Sequence, residues 1–297
     1  MIASCGEALV DLVPDPVPGG GPMNVAVAAA RLGAPAAFVG RVSTDEFGQI
    51  IWDHLVANGV DLRACERGPE PTARAIVEHV PQLVFRFEGA GTADTMLEVA
   101  DLDRLGAGLH MLHGGTLGMF RGRTARVLAT LAEQHDGLVS LDPNVRPQVI
   151  DDRDRWDHYH RRWLAVAGLY RASDEDVEWI WPGRSHGSCA AELLAGGVSV
   201  VIVTHGADGA TVYLSDVSVH VESQPVHVVD TVGAGDSFVA SVLVSLWNVR
   251  MKAGVSQLSD LDENDWHRIA TRAVRAAAIT CSRAGADPPT AAELDAP

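Results

Sequence analysis

Short apolar runs alternate with amphipathic stretches along most of the chain. Runs such as VVIVT, which ends at Thr204, have the length and β-branched content of buried strands, whereas NVAVAAARL has helical spacing. Since strands that alternate with helices form parallel sheets, the pattern predicts an α/β fold with a doubly wound, mainly parallel sheet flanked by helices. The predicted strands are 2–5 continuing toward 9–13, 37–42, 111–113, 138–141, 169–171 and 198–204, and the predicted helices are 24–32, 45–58, 123–134, 153–166, 174–181, 189–194 and 266–283.

Two parts of the chain depart from this alternation. Residues 73–80 and 83–88 have strand patterns, but no long helix lies between them. Residues 211–214 and 217–221 also follow each other closely, which is typical of a hairpin. We therefore expect a small sheet outside the main one, and a hairpin before the C-terminal helices.

The most informative stretch is VHVVDTVGAGDSFVASVLVSLWN, residues 226–248. A β-rich approach leads to a glycine turn at Gly233, Ala234 and Gly235, and Asp236 follows at the start of an apolar helix. Glycines let backbone N–H groups converge, and a helix N-terminus adds a positive dipole, so the turn is typical of an anion-binding site. A carboxylate beside such a site indicates phosphoryl transfer to a hydroxyl, with Asp236 as the general base.

Polar residues also follow several of the other predicted strands. Asp11 belongs to the first strand region, and further clusters lie at 114–116, 142–144 and 204–206. Ligands of doubly wound sheets bind in the crevice beyond the carboxyl ends of the strands. The polar clusters and the glycine turn therefore predict one ligand-binding crevice at that edge.

Composition narrows the class of ligand. The 297 residues carry a formal net charge of −16, which argues against nucleic acid and anionic membranes as partners. No apolar run reaches the roughly 18 residues of a membrane span, and the N-terminus lacks the basic region of a signal peptide; we expect a cytoplasmic protein. Lys252 is the sole lysine and GxxxxGK[ST] is absent, so P-loop and protein-kinase schemes are excluded.

Two signatures give the chain a family resemblance. The segment DTVGAGDSF, residues 230–238, resembles the DTxGAGDxF signature of the ribokinase-like (PfkB) carbohydrate kinases, and GGGPMNVAVAAARLG, residues 19–33, resembles their GGxPxNVAxxLARLG signature. Further matching segments are GEALVDLVP (6–14), FVGRVSTDEFG (38–48), GTAD (91–94), DPNVR (142–146), VTHGADGA (203–210) and RAGADPPTAAEL (283–294). The resemblance covers essentially the whole chain and favours the fructokinase branch.

The resemblance implies one ribokinase-like α/β kinase domain over residues 1–297, with a small β-sheet lid formed by about 11–22 and 61–98. The implied reaction transfers the γ-phosphate of ATP to a sugar hydroxyl, with Asp236 as base and the N–H groups of the glycine turn as anion hole. Mg²⁺ would accompany ATP, and K⁺ is a further candidate cation. Asp176 is the candidate for Mg²⁺ and Asp230 for the monovalent cation. Such kinases often dimerise through the lid, so we expect a homodimer.

The same resemblance assigns the remaining contacts. The implied sugar-binding residues are Asp11, Gly20, Gly21 and Asn24. The implied nucleotide-binding residues are Thr204, Gly206, Gly209 and Gly235, with Arg146 as a cation on the phosphate side. The alternative to a sugar-binding role is an ordinary acid at a strand end for Asp11 and a helix cap for Asn24.

Two departures from the family pattern concern metal and sugar binding. The family's NxxE motif is replaced by a stretch in which Ser173 and Asp176 stand for Asn and Glu; the alternative is an ordinary N-cap followed by acids. The family's FYREGTAD would place an arginine where Gly89 stands here. Arg86 would supply this arginine if the alignment is shifted by a few residues; the alternative is that Arg86 is a solvated arginine on a strand. His205, beside a strand end, is by itself more often incidental than a ligand.

Several functions stay open at this point. An ATP-dependent sugar kinase, most of all a fructokinase, leads; 2-keto-3-deoxygluconate kinase and ribokinase follow. A non-catalytic sugar-binding regulator of the same fold is an alternative from a different class, although a pure sensor would not need Asp236. A dinucleotide-dependent oxidoreductase is rejected, because the glycine turn comes late and lacks the third glycine of GxGxxG.

Overall fold

A computed structural model describes residues 1–13, 15–79, 83–98, 104, 109–253 and 258–296. In chain order the strands are β1 Ile2–Cys5, β2 Leu9–Val13, β3 Asp15–Gly19, β4 Ala36–Ser43, β5 Cys65–Gly68, β6 Arg74–His79, β7 Leu83–Glu88, β8 Met111–Gly115, β9 Leu138–Asp142, β10 Leu169–Ser173, β11 Val200–Thr204, β12 Ala210–Tyr213 and β13 Ser218–Val221. The α-helices are α1 Gly21–Arg31, α2 Glu46–Ala57, α3 Gly122–Gln134, α4 Arg153–Leu164, α5 Asp174–Ile180, α6 His186–Ala195, α7 Ala234–Ala253, α8 Glu263–Cys281 and α9 Ala291–Leu294.

Within the described ranges, nine strands form a large sheet in the order β13-β12-β11-β10-β9-β8-β1-β4-β5. All neighbours from β11 to β5 run parallel, whereas β12 and β13 pair antiparallel at one edge. The predicted mainly parallel α/β sheet and its edge hairpin are both confirmed. Because the parallel strands share one direction, their carboxyl ends meet at one edge, which is where ligands bind in such folds.

A second, smaller sheet has the order β3-β2-β6-β7 in the described part of the chain. The small sheet outside the main one is therefore confirmed, but the prediction that the first strand continues from 2–5 toward 9–13 is wrong. The chain leaves the large sheet at Gly6, which has φ 152° and lies so close to α1 that a Cβ there would be 2.5 Å from Pro22 Cγ. Glycine permits both the backbone angle and the contact.

The ends of the expected lid range differ from the observed elements. Cys65–Gly68 pairs with β4 in the large sheet, and α1 begins at Gly21. Position 14 and residues 80–82 and 99–103 lie outside the described residues. The observed small sheet thus consists of the strands between residues 9 and 19 and between 74 and 88.

Helices cover both faces of the large sheet. One face is packed by α1, α7 and α8, whose buried residues include Val25, Leu243 and Trp266. On the other face the indoles of Trp156 and Trp163 are fully buried. Burial of such a large apolar side chain stabilises the fold by about 1.5–3 kcal/mol.

Two local predictions around helix starts have opposite outcomes. Ser173 caps α5 as expected, since its hydroxyl accepts a hydrogen bond from the N–H of Asp176. The expected β-rich approach at 226–229 is wrong, because no strand forms between β13 and α7, and Val228 and Val229 are more than half exposed. None of the helices in the described ranges is long and apolar enough to cross a lipid bilayer.

Candidate active site

A cavity of about 920 Å³ lies between the small sheet and the carboxyl ends of the parallel strands. It brings together most of the residues that the sequence singled out. Those that line it are Asp11, Gly20, Gly21, Asn24, Arg146, Asp230, Gly233, Gly235 and Asp236. The sugar-side and phosphate-side candidates therefore face the same space, although they come from opposite ends of the chain.

Asp236 lies in the first turn of α7 and is hydrogen-bonded to Asn24. The Nδ2 atom of Asn24 donates to Asp236 Oδ2 at 2.8 Å, which joins two helices 212 residues apart in sequence. Asn24 is inside α1, where Gly20 is the N-cap, so the alternative of Asn24 as a helix cap is wrong. Its amide is instead free to orient the carboxylate.

An exposed aspartate has a pKa of about 4. In the structure, burial raises the pKa of this carboxyl, and the Asn24 hydrogen bond and the charges of Arg146 and Arg171 partly oppose that shift. A carboxylate with a raised pKa holds a proton better than an exposed one. Asp236 is therefore a stronger general base than an exposed aspartate.

The two glycines of the glycine turn, where α7 begins, have little room for a side chain. Gly233 has φ 77°, and a Cβ there would lie 2.6 Å from Ala286 Cβ. A Cβ on Gly235 would lie 3.0 Å from Arg171 Nη1. The N–H of Ala234 donates to Thr231 O at 3.3 Å, a long bond that an anion could replace. Bare backbone thus faces the cavity at the helix N-terminus.

Arg171, whose role the sequence did not reveal, lies directly behind this turn. Its side chain on β10 is buried, with Nη1 donating to Asp142 Oδ2 at 2.8 Å and Nη2 to Thr204 Oγ1 at 2.5 Å. Burial raises the pKa of Asp142 to about 6, although the guanidinium opposes the rise. The available signal was an arginine within LYRAS, an otherwise buried parallel strand, since a charge there needs a buried partner.

Two residues with unusual backbone angles flank the base. Thr116 has φ 47° and Asn144 has φ 37°, and Asn144 Nδ2 donates to Thr116 Oγ1 at 3.2 Å. Both lie beside Gly21, where a Cβ would be 2.7 Å from Thr116 Oγ1 and 3.4 Å from Asp236 Oδ1. Such conformations cost roughly 1–3 kcal/mol each and cluster at functional sites. The sequence placed both residues at strand ends but gave them no role.

Two further carboxyl groups line the cavity away from the glycine turn. Burial raises the pKa of Asp11, on β2, to about 6, and the charge of Arg146 partly opposes this. Glu7 is fully buried, and its Oε2 accepts the N–H of Gly118 at 2.8 Å. Burial raises the pKa of Glu7 to about 8, so this carboxyl keeps its proton to a higher pH than an exposed glutamate does.

The candidate lid arginine lies elsewhere. Arg86 is outside the described cavity lining; its side chain is 59% exposed and lies 3.2 Å from a carboxylate oxygen of Glu88. The space beside Gly89 is instead filled by the guanidinium of Arg121. Arg121 stacks over the ring of Phe87 at 4.7 Å, and Phe87 lines the cavity. An arginine therefore does reach the lid, from the start of α3.

The expected nucleotide residues of β11 lie behind the cavity. Thr204 ends the strand and contacts Arg171, as described above. Gly206 and Gly209 follow with φ 54° and 93°, angles that favour glycine. A Cβ on Gly209 would lie 2.9 Å from the backbone nitrogen of Ser223. This turn leaves β11 near the buried arginine.

The two candidate cation ligands already have hydrogen bonds. Asp176 is buried; one oxygen accepts the N–H of Ser173 at 2.8 Å and the other that of Val145 at 2.7 Å. Asp230 lines the cavity and accepts the N–H groups of Val232 at 3.0 Å and Gly285 at 2.9 Å. Asp176 therefore completes the capping box of α5, while its role toward a metal ion stays a prediction.

Comparisons with known proteins agree with this arrangement. The profile of the "pfkB family carbohydrate kinase" family matches residues 15–292. The chain belongs to this family, and it is a carbohydrate kinase. It is 36% identical to the fructokinase of Rhizobium leguminosarum bv. trifolii over 88% of this chain and 84% of the relative, and 33% identical to the fructokinase of Escherichia coli over 95% and 93%.

Solved structures resemble the whole chain. The fructokinase of Xylella fastidiosa with bound ATP matches with a TM-score of 0.89 and 25% identity, covering 99% of this chain and 96% of that one. The fructokinase of Vibrio cholerae O395, with fructose, ADP and calcium bound, matches with a TM-score of 0.79 and 27% identity over 96% and 94%. The ribokinase-like fold is thereby confirmed.

Proposed function

We propose that this kinase transfers the γ-phosphoryl group of ATP to a hydroxyl of fructose. The observation that carries the proposal is the partly buried Asn24–Asp236 hydrogen bond at the N-terminus of α7, which holds a carboxylate in the lining of the cavity that Asp11 also lines. The names of the relatives support fructose as the sugar. The small sheet acts as a lid over the sugar, and residues 1–297 form one kinase domain.

In this reaction the sugar hydroxyl lies within hydrogen-bond reach of Asp236. Its oxygen forms the new bond to the γ-phosphorus, the bond from that phosphorus to the ADP oxygen breaks, and the hydroxyl proton passes to Asp236. Asn24 holds one carboxylate oxygen, so the other is left to accept the proton. Asp11, Gly20 and Gly21 line the sugar side, where carboxylate and backbone groups suit hydroxyls.

The negative charge on the transferring group is balanced by the chain itself. Gly233 and Gly235 line the cavity at the N-terminus of α7, where backbone N–H groups and the helix dipole would stabilise a phosphate. Arg146 lines the cavity, and Arg171 adds a positive charge behind Gly235. Loss of one such donor typically raises a reaction barrier by roughly 3–4 kcal/mol. Thr204, Gly206 and Gly209 lie on the expected nucleotide side.

The donor set suggests how Mg²⁺ would bind. The carboxylates of Asp142 and Asp176 are engaged with Arg171 and with backbone or side-chain donors, which disfavours an all-protein cage. Mg²⁺ would therefore be held mainly by ATP phosphates and water, and would neutralise phosphate charge. Asp230, which lines the cavity, remains our candidate for a K⁺ site. The cytoplasmic location stays a prediction.

We also propose a homodimer through the lid. Val13 and Val17 on the small sheet are 48% and 40% exposed, which leaves apolar surface at the cavity mouth. Pro16 and Pro18 remove donors from β3, so the contact would use the face of this sheet rather than its edge. Light scattering after gel filtration should give twice the chain mass, and Val17→Asp should lower it; a fully active wild-type monomer would contradict the dimer.

The substrate proposal is tested by ADP release with a panel of acceptors. The panel contains fructose, 2-keto-3-deoxygluconate, ribose and nucleosides, each with MgATP. Fructose should give the highest kcat/KM. A higher value for another sugar would overturn fructose but keep the kinase. No turnover with any sugar, together with a sugar-dependent rise in Tm, would favour the non-catalytic regulator.

A further inference from the structure

Three potential metal ligands meet outside the cavity, on the nucleotide side of the sheet. Asp174 begins α5, His186 begins α6, and His205 follows β11. One ligand atom of each lies within 4.8 Å of the others. Asp174 Oδ1 is 2.5 Å from His205 Nδ1 and 3.4 Å from His186 Nε2. The two imidazole rings stack with their centroids 5.2 Å apart.

The outer nitrogen of His205 has the partner that metal-binding histidines carry. Its Nε2 is 2.9 Å from Thr211 Oγ1, and the same hydroxyl is 3.1 Å from His220 Nδ1. When the hydroxyl proton points to His220, the neutral ring of His205 must donate through Nε2. That tautomer leaves the lone pair of Nδ1 available to a cation that Asp174 Oδ1 also binds, in place of the hydrogen bond that joins the two atoms without metal. An outer hydrogen bond of this kind fixes the tautomer of a metal ligand.

The spacing suits a tetrahedral ion after a small adjustment. With bonds of about 2.0–2.2 Å, two ligands of tetrahedral Zn²⁺ are roughly 3.3–3.6 Å apart. The distance from Asp174 to His186 already fits, whereas the one from Asp174 to His205 must lengthen by about 1 Å. The side chain of Asp174 is 44% exposed and His186 is 35% exposed, so both can move, and water can supply the fourth ligand.

We propose that Asp174, His186 and His205 bind a transition-metal ion of the Zn²⁺, Co²⁺ and Ni²⁺ class. Two imidazoles and one carboxylate suit these ions, while the Mg²⁺ that accompanies ATP prefers oxygen ligands alone. The ion joins the starts of α5 and α6 to the end of β11. His205 directly follows Thr204, so the bound metal fixes the turn that leads from β11 to Gly209.

The test is metal binding to the intact chain, measured without nucleotide or sugar. Chelator-treated protein is titrated with Co²⁺, followed by visible absorption, and with Zn²⁺, followed by calorimetry. Wild type should take up one equivalent, with a rise in Tm, and His186→Ala should lose this uptake. Thr211→Val removes the outer hydrogen bond of His205, together with the contact of the same hydroxyl with His220, and should weaken binding about 10–100-fold. The control is His267→Ala, an exposed histidine on α8, which should bind like wild type.

Two results would overturn the site. The first is a wild-type protein that binds neither Co²⁺ nor Zn²⁺. The second is a His186→Ala variant that binds the ion with the same affinity as wild type, which would place the ion elsewhere, for example at cysteine thiolates. If His186→Ala does not fold, Thr211→Val provides the test instead. Metal affinity in Thr211→Val equal to that of wild type would contradict the proposed tautomer of His205 and with it the site. Because no readout uses phosphoryl transfer, failure of this site and failure of the fructokinase proposal are distinguishable.

Discussion

Replacing Arg171 by methionine should destabilise the protein more than any surface ion pair would. Arg171 is 7% exposed and its partner Asp142 is 4% exposed. In Arg171→Met the carboxylate of Asp142 stays buried without its cation and near the acidic groups of Asp176 and Asp236. Breaking a buried pair in this way costs about 3–5 kcal/mol, against a total stability of roughly 5–15 kcal/mol for a folded domain.

Urea denaturation at several pH values measures this loss. With a slope of about 2–3 kcal/mol per molar urea, the midpoint should fall by roughly 1–2 M. Arg171 lowers the pKa of Asp142, so the variant raises it further above the value of the unfolded chain. As the pH rises, the carboxyl of Asp142 therefore loses its proton at a lower pH in the unfolded chain than in the folded one, and this lowers the stability of the folded state. The destabilisation should therefore be largest near about pH 8 and shrink as the pH falls toward about 5.

Two controls separate the buried charge from other effects. Adding Asp142→Asn to Arg171→Met removes the unpaired charge and should recover much of the loss, because a buried pair is often replaceable as a unit. Arg162→Met breaks a partly exposed pair with Glu133, at 2.7 Å, and should cost no more than about 1 kcal/mol. An Arg171→Met loss as small as that of Arg162→Met would refute the reasoning.

Three further predictions concern the cavity walls. Glu7→Gln should flatten the decline of stability with pH between about 5 and 8, by up to about 1.4 kcal/mol per pH unit, because the folded pKa of Glu7 rises from 4.5 to about 8; identical unfolding curves across that range would contradict this. Gly233→Ala should cost about 1–3 kcal/mol of unfolding free energy through its positive φ and its collision with Ala286; urea midpoints decide. Asn24→Ala removes a hydrogen bond that lowers the pKa of Asp236, so the acidic limb of kcat/KM should move to higher pH; an unmoved limb counts against it.

The sequence predicted the fold and one wall of the site from local signals. The glycine turn, Asp236 and the strand-end acids sit in short segments whose residue types show their chemistry directly. The contact of Asn24 with Asp236 was not predictable in this way, because it joins residues 212 positions apart. The pKa of Asp236 was equally hidden, since it depends on burial by the whole fold.

The misjudged elements have a common physical cause. The chain from β1 to β2 has one continuous strand pattern, but it changes sheets at Gly6, where Pro22 of α1 packs against the glycine from elsewhere in the chain. Arg121, just before α3, fills the space beside Gly89, where the family pattern would place an arginine. Where a strand ends and which arginine fills a space depend on contacts between residues far apart in the chain. Local sequence patterns do not show which distant residues will be in contact.

The most direct test of the central claim is Asp236→Asn, assayed with MgATP and fructose. The amide keeps the shape of the side chain and its place beside Asn24 but cannot accept the hydroxyl proton as a carboxylate does. Loss of a general base typically lowers turnover about 10²–10⁴-fold. Asp136→Asn, at an exposed position after α3, is the matched control and should keep wild-type turnover.

Calorimetry with fructose and with ATP completes the experiment. The account predicts that Asp236→Asn binds both ligands measurably while turnover falls about 10²–10⁴-fold, because the change affects proton transfer rather than the cavity. Near-normal turnover in a folded Asp236→Asn protein would contradict the assignment of this carboxylate as the catalytic base.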